Sequence, residues 1–367
     1  MKITHISTAH PRDDTRIFRK MCLSSVSAGH DVTLIVADGL GDANVDGVKV
    51  FDVGKPQSRI HRIVTSAIKA AHKSRILDSD ICQLHDPELI PFIIFLSSKT
   101  KIIFDFHEDV RQQIYRKTYI PKPLRGVISF AYGLIETFFM RFFSGVICAT
   151  PTIENIYKAR NYTQVIRNYP LLDEFARFQV NVDSDQQDIS LVYIGGITHG
   201  RGASQLIDAL KNFDENVTLH LCGPIRPSTF QAHLQKKRGW SKVRYHGNVN
   251  RQTIIGILQN ADIGYVTLLP DPSYEEALPV KMFEYFASST AVIASNFPLW
   301  ASIINENRSG LLVDPTDVSD IVSTTQLLIN DRSLRLNLAQ NGRKSFLERY
   351  HWEREYQALD KFYKDFL

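Results

Sequence analysis

ISLVYIGGITHGRGASQLIDAL, residues 189–210, decides the fold. It opens on a β-branched and aromatic run, turns through a glycine-rich loop at Gly195–Gly202, and runs into the helical stretch ASQLIDAL. Side chains of the first kind pack well on a pleated strand. A strand that passes through glycines into a helix is the start of a βαβ unit, and such units in series build a parallel sheet covered on both faces. The same rhythm recurs on either side. Strands are expected at 2–7, 31–37, 48–53, 81–85, 101–106 and 145–150, and again at 189–195, 217–223, 243–247, 263–269, 291–295 and 310–314. Two series of six predict two doubly wound α/β domains, with a single large sheet as the weaker alternative.

The 367 residues suit two domains of ordinary size. The seam is expected in NYPLLDEFARFQVNVDSDQQDIS (168–190), which turns polar and acidic after its proline. The expected division is an N-terminal domain over 1–172, a linker over 173–188, a second domain over 189–345 and a closing helical segment over 346–367. Cys22, Cys82, Cys148 and Cys222 are widely spaced in apolar runs, which reads as buried free thiols in a reducing compartment. The N-terminus shows no apolar run of the signal-peptide kind.

A net charge of +4 hides an asymmetry. Residues 1–170 carry 23 Lys+Arg against 16 Asp+Glu, or +7; the remainder carries 20 against 23, or −3. A basic N-terminal half implies an anionic partner. No nucleic-acid-binding motif accompanies it, so nucleic acid is set aside in favour of an anionic membrane surface. YIPKPLRGVISFAYGLIETFFMRFFSGVI (119–147) supports that reading. It is apolar and aromatic, but Arg125, Glu136 and Arg141 interrupt it, which suits an interfacial helix better than a spanning one. Arg111, Arg116, Lys117 and Lys122 precede it, and a second basic stretch runs from Arg59 to Arg75. A helix simply buried on the sheet is the other reading.

Four clusters carry candidate chemistry. Glu276 and Glu284 stand eight apart around Pro279 and Lys281, which sets one carboxylate in a loop and the other inside the helix that follows. A carboxylate accepts two hydroxyl donors, as a ribose diol or a sugar offers. The loop Gly195-Gly196 to Gly202 lets backbone amides approach phosphate, with Arg201 as a charge-assisted fork. Asp105 and His107 share one side of a strand's carboxyl end, where α/β folds bind ligands. The first loop, HPRDDTRIFRK (10–20), is read as acceptor-facing, with Asp13 or Asp14 capping the helix it begins. Asp78-Ser-Asp80 and Asp183-Ser-Asp185 read as solvated turns. His85-Asp86 also ends a strand, but no ligand spacing fixes a metal, and no metal site is assigned.

With those clusters assembled, the chain resembles the family-4 retaining glycosyltransferases of GT-B fold over nearly its whole length. The resemblance rests on Glu276 and Glu284, on GGITHGRG, on D-F-H-E at 105–108 with its preceding residues, on Leu-Cys-Gly-Pro (221–224), on Gly247-Asn-Val249 and on the closing NGRKSFLERYHWEREYQALDKFY. It implies two Rossmann-like domains facing across a cleft, with a final helix crossing back to the first. It implies that Glu284 binds ribose and Glu276 the transferred sugar. Arg201 would hold the diphosphate with Lys281 beside it, and His107 would contact the donor sugar. Gly195, Gly196 and Gly223 would line the nucleotide, the backbone at Val249 would read the base, and Ser295, Asn296 and Phe297 would line the diphosphate side. Asp14 and Arg16 would face the acceptor.

Two departures stand out. Gly196 occupies a position where the family usually has arginine, and HPRDDTRIF replaces a glycine pair, as in some surface-polysaccharide transferases. The implied activity is metal-independent transfer of a hexosyl group from a nucleotide sugar, UDP favoured over GDP, to a glycan or lipid-diphosphate-linked acceptor, with no separate cofactor. The implied place is the cytoplasm, peripherally on the inner face of the membrane. An epimerase of the same fold, a catalytically silent scaffold and, more weakly, an NAD-dependent dehydrogenase are the competing readings.

Overall fold

A computed structural model describes residues 1–116, 120–178 and 188–367. The chain forms two compact units, one of residues Met1–Asn168 with Glu353–Leu367 and the other of Tyr169–Trp352.

The strands of the first unit are β1 (Lys2–Ile6), β2 (Asp31–Val36), β3 (Ala43–Val45), β4 (Val48–Asp52), β5 (Ile81–Leu84), β6 (Lys101–Phe106), β7 (Gly145–Cys148) and β8 (Thr163–Val165). They lie in the order β3-β4-β2-β1-β5-β6-β7-β8, parallel throughout except for the β3–β4 pair. In the second unit β9 (Ile189–Ile194), β10 (Val217–Cys222), β11 (Val243–Gly247), β12 (Ile263–Val266), β13 (Ala291–Ser295) and β14 (Gly310–Val313) lie in the order β11-β10-β9-β12-β13-β14, all parallel. Each sheet reverses its winding once, between β1 and β5 and between β9 and β12. These switch points are where doubly wound sheets open a crevice at the strands' carboxyl ends. β3 and β8 add to the expected strands; Ala-Asn-Val and Thr-Gln-Val are too short and too polar to give a strand signal.

Alternation along the central strands divides each core in two. Leu191 and Tyr193 of β9 face one apolar cluster, while Val192 and Ile194 face the other. In the first unit Ile35 joins a cluster with Leu84, Phe104 and Phe106, whereas Leu34 and Val36 pack with Ile17 and Phe18. Burying residues on both faces is what makes these strands read as continuous apolar runs.

The expected linker begins too early. Tyr169, Phe175 and Phe178 are buried in the second unit's core, so residues 169–178 belong to that unit. Aromatic burial of this kind outweighs the polar look of the neighbouring sequence. The remaining linker residues 179–187, with Asp183 and Asp185, lie outside the described residues. The closing helix Trp352–Lys364 packs on the first unit from Glu353 onward. There Tyr363 hydrogen-bonds Gln83, the Tyr162 hydroxyl donates to Asp365 at 2.8 Å, and His30 pairs with Asp360 at 2.7 Å.

The interrupted apolar segment forms the helix Lys122–Met140. Ser129, Gly133, Glu136 and Met140 make its buried face, and Glu136 is paired with Arg111 at 3.0 Å. Leu124, Val127, Phe130, Leu134 and Phe138 are exposed on the other side. Among the described residues no helix is long and apolar enough to cross a membrane. All four cysteines are buried free thiols.

Candidate functional site

The second unit gathers its charged and flexible groups at the β9–β12 switch point. Gly195, at φ +111°, directly follows β9, and Gly223, at φ +135°, directly follows β10. A Cβ on Gly223 would stand 2.0 Å from the Gly195 carbonyl oxygen, so only glycine lets the two strand ends close on each other. Gly202, at φ +71°, is as tightly held: a Cβ there would lie 1.8 Å from the Thr267 carbonyl just past β12. Between Gly196 and Gly202 the chain makes a tight turn, His199–Arg201, that leads into the helix Ala203–Leu210. Arg201 is fixed at both ends. Its carbonyl accepts from the Tyr193 hydroxyl at 2.9 Å, and its Nη1 donates to the Gly196 carbonyl at 3.2 Å.

The helix Val280–Ala287 begins after Pro279 and is buried along its length, Lys281 and Glu284 included. Their spacing sets them one turn apart on one face. The Lys281 ammonium stands over the Tyr193 ring, 3.5 Å from its centroid, and its Nζ has no hydrogen-bond partner among the described residues. Burial, and then the charge of Arg201, hold Lys281 well below the usual lysine range. An ammonium in this position gains from any anion that reaches it.

Glu284 has a partner that sequence reasoning missed. Arg251, the first residue of the helix Arg251–Leu258, hydrogen-bonds Glu284 Oε1 through Nη1 and forks onto Glu174 through Nη2 (2.7 Å) and Nε (3.1 Å). The two carboxylates outweigh burial and push the guanidinium up from its ordinary value. Nothing in an arginine after an N-capping Asn250 announces this role. Val249, just before that cap, packs on the same apolar cluster as Met282 and Tyr285.

Four other expected residues sit differently. Glu276 caps the short helix Pro272–Glu275 and is exposed. The Ser295 hydroxyl donates to the Leu268 carbonyl at 2.7 Å, which spends it within the fold. Asn296 and Phe297 line a depression with Pro270, Glu275, Asp314 and Asp320, and none of Arg201, Lys281 or Glu284 lines it. The structure brings Gly195, Gly196, Gly223, Arg201, Lys281 and Glu284 into one neighbourhood, while Asn296 and Phe297 line the separate depression.

The first unit gathers histidines and aspartates at its own switch point. Asp105, near the end of β6, is the hub. Arg16 donates to Oδ2 through Nε at 3.0 Å and to Oδ1 through Nη2 at 2.8 Å, and His107 Nε2 lies 2.9 Å from Oδ2. His85, past β5, approaches the same oxygen at 3.3 Å and hydrogen-bonds His5 at 3.1 Å. Burial pushes the Asp105 carboxyl up, yet the charges of Arg16 and His107 overcome it and hold it well below the usual range. Ligand atoms of His85, Asp105 and His107 lie within 4.8 Å of one another, as a metal would require. Arg16, however, occupies both carboxylate oxygens, and its fixed positive charge opposes a cation there.

The acceptor-facing reading of Arg16 and Asp14 is corrected by this geometry. Arg16 is buried and committed to Asp105 and to the Ile166 carbonyl at 3.0 Å. Asp14 caps the turn Thr15–Cys22, accepting from the amides of Arg16 and Ile17. Asp13 and Arg19 are the loop's exposed charged groups, and His10 is half-buried with its side chain 33% exposed.

Residues 173–345 match the family described as "Glycosyl transferases group 1". An N,N'-diacetylbacillosaminyl-diphospho-undecaprenol alpha-1,3-N-acetylgalactosaminyltransferase of Campylobacter jejuni is 27% identical over 171 residues, covering 47% of this chain and 43% of that protein. The chain thus matches less than half the length of that curated relative. Among solved structures, a sucrose-phosphate synthase from Thermosynechococcus elongatus is similar at a TM-score of 0.75 and 16% identity, covering 99% of this chain and 98% of that one. HepE of Anabaena, solved with UDP and glucose, is similar at 0.72 and 13% identity over 100% of both chains. These likenesses establish two Rossmann-like domains of GT-B type.

Proposed function

We propose that this chain is a retaining glycosyltransferase that moves a hexosyl group from a nucleoside diphosphate sugar, uridine favoured, to a glycan or lipid-diphosphate-linked acceptor of envelope polysaccharide synthesis. The observation that carries the reading is Lys281. It is a buried amine with no hydrogen-bond partner among the described residues, held below its usual range beside Arg201 and two closely abutting glycine turns, where an arriving diphosphate would favour its charged form. Glu284 keeps its second oxygen for the ribose diol, since Arg251 holds Oε1. The exposed Glu276 is left for the transferred sugar, and Val249 for the base. The first unit contributes His107, whose Nε2 is anchored on Asp105 so that Nδ1 is left to meet a sugar hydroxyl.

Retention follows from front-face attack. The acceptor oxygen bonds to the anomeric carbon as the bond to the diphosphate breaks, and the departing diphosphate takes the acceptor's proton. Arg201 and Lys281 stabilise the charge that gathers on the leaving group, and the scheme calls on no metal and no resident cofactor.

We place the enzyme on the inner face of the cytoplasmic membrane. The exposed apolar face of the helix Lys122–Met140 begins at the exposed Lys122 and is followed by the exposed Arg141 and Phe142, a pattern suited to an anionic lipid surface, while Arg125 is half-buried and donates to the Tyr115 and Ile120 carbonyls. Replacing Phe130, Phe138 and Phe142 together by serine should abolish co-sedimentation with phosphatidylglycerol vesicles. Undiminished binding would remove the helix from that role.

The donor reading is tested by thermal shift with UDP, GDP, ADP and NAD. One nucleoside diphosphate should stabilise the chain by roughly 2.7 kcal/mol at a hundredfold excess over its dissociation constant, and Glu284→Ala should remove most of that. A chain stabilised by none of them would favour the scaffold reading, and one stabilised by NAD alone the dehydrogenase.

A further inference from the structure

His10 is held with a care that the transfer scheme does not use. Its Nδ1 lies 3.0 Å from Asp86 Oδ1 and 3.0 Å from Ser7 Oγ. Asp86, just past β5, is fixed in turn: its other oxygen accepts from the amides of Thr8 (2.6 Å) and Ala9 (3.0 Å) and from the Ser7 hydroxyl (3.0 Å). The two nitrogens of an imidazole face opposite ways, so anchoring Nδ1 on a buried carboxylate turns Nε2 away from it. A carboxylate only accepts, so Nδ1 keeps its proton and the proton that charges the ring sits on Nε2.

The surrounding charges are already balanced. Asp105 is paired with Arg16, Asp14 caps a helix, and Asp86 is paired with His10 itself. The hydrogen bond to Asp86 raises the His10 pKa against the effect of burial, with Asp86, Asp14 and Asp105 adding their charges, so the ring keeps its charge to higher pH than a free imidazole would. What remains for a ligand is one cationic N–H at the carboxyl end of β1, beside the switch point. The His107 ring, which the transfer scheme places at the donor sugar, is 5.7 Å away.

We propose that His10 is a phosphoryl-binding residue, donating from Nε2 to a phosphate or diphosphate group carried by the acceptor. The inference rests on the proposed transfer to a glycan or lipid-diphosphate-linked acceptor and on the acceptor-facing reading of the 10–20 loop, and it names the chemistry that acceptor must bear. A point cation on a fixed ring suits a phosphate oxygen. A neutral glycan acceptor would leave this charge without use.

The test is a titration of the full chain, its histidines labelled with nitrogen-15, with inorganic pyrophosphate in the presence of saturating UDP. UDP fills the donor site, so a response under these conditions belongs to a second anion site. The His10 imidazole signal should move saturably, and His10→Asn and His10→Gln should each weaken pyrophosphate binding at least about tenfold, as loss of a charge-assisted hydrogen bond requires. UDP affinity should stay the same in both variants. Binding of pyrophosphate that survives both substitutions, or a His10 signal that does not respond, would overturn the proposal. If UDP itself fails to bind, the donor reading falls. The same titration without nucleotide then decides His10 on its own.

Discussion

The two switch points of this molecule share a topology and differ in electrostatics. At the β1–β5 crevice nearly every charge has been answered: Asp105 by Arg16, His107 and His85, and Asp86 by His10, Ser7 and two amides. At the β9–β12 crevice the Lys281 ammonium is buried with no hydrogen bond among the described residues, and the glycine turns leave room for backbone to approach a ligand. The same fold has therefore produced one prepaired polar network and one site held short of an anion. A paired network stabilises the fold that carries it, whereas an unpaired buried charge stabilises a complex.

That contrast is broken or sharpened most strongly by a pair of substitutions compared in one denaturation experiment. Arg16→Ala leaves Asp105 buried beside two histidines without its cation, and the first unit should lose about 3–5 kcal/mol. Lys281→Met replaces an unpaired charge by an apolar chain of similar length, and the second unit should change by no more than about 1 kcal/mol. Nucleotide affinity should divide the opposite way: Lys281→Met weakens UDP binding about tenfold or more, and Arg16→Ala leaves it alone. Equal stability losses for the two would mean that Lys281 is part of the scaffold and that the contrast between the crevices is false.

Much of the fold was legible because parallel strands buried on both faces write themselves as runs of Ile, Val and Leu, and because glycines mark the turns between them. The glycine loop and the Glu284 helix were legible for the same reason: Gly202 and Gly223 stand where a Cβ has no room. What the sequence concealed were partnerships between distant residues. Arg16 pairs with Asp105 across 89 positions, and His10 with Asp86, on the next strand of the sheet rather than the next in sequence. Arg251 meets Glu174 and Glu284 at separations of 77 and 33. The charges of its loop and the family resemblance put Arg16 at the acceptor; only the parallel register, which sets β5 beside β1 and β6 beside β5, shows that it is interior. The aromatic residues near 175 were hidden by the acidic segment that follows them.

The smallest expected effect concerns His10, the more exposed of the two histidines of the paired network that solvent still reaches. Burial pushes the Asp86 carboxyl up, but the hydrogen bond and charge of His10, with the amides of Thr8 and Ala9, hold it below its usual range. His10 is raised by the same bond. A raised histidine contributes its stability fully below its unfolded pKa and loses it as pH climbs through the higher folded value. A depressed carboxylate contributes above its unfolded pKa and loses it as pH falls through the lower folded value. The pair therefore stabilises the first unit between the carboxylate and histidine ranges, and its contribution fades on the alkaline side as pH climbs from the ordinary histidine range through the raised folded value. With His10 a third exposed, solvent screening keeps the contribution below about 1 kcal/mol. Chemical denaturation of the full chain across that range should show a shallow decline in the stability of the first unit that His10→Asn flattens. An unchanged slope in the variant would place the titrating group elsewhere and leave His10 uncharged at neutral pH. The crevice at β1 would then lose the cation on which phosphoryl recognition depends.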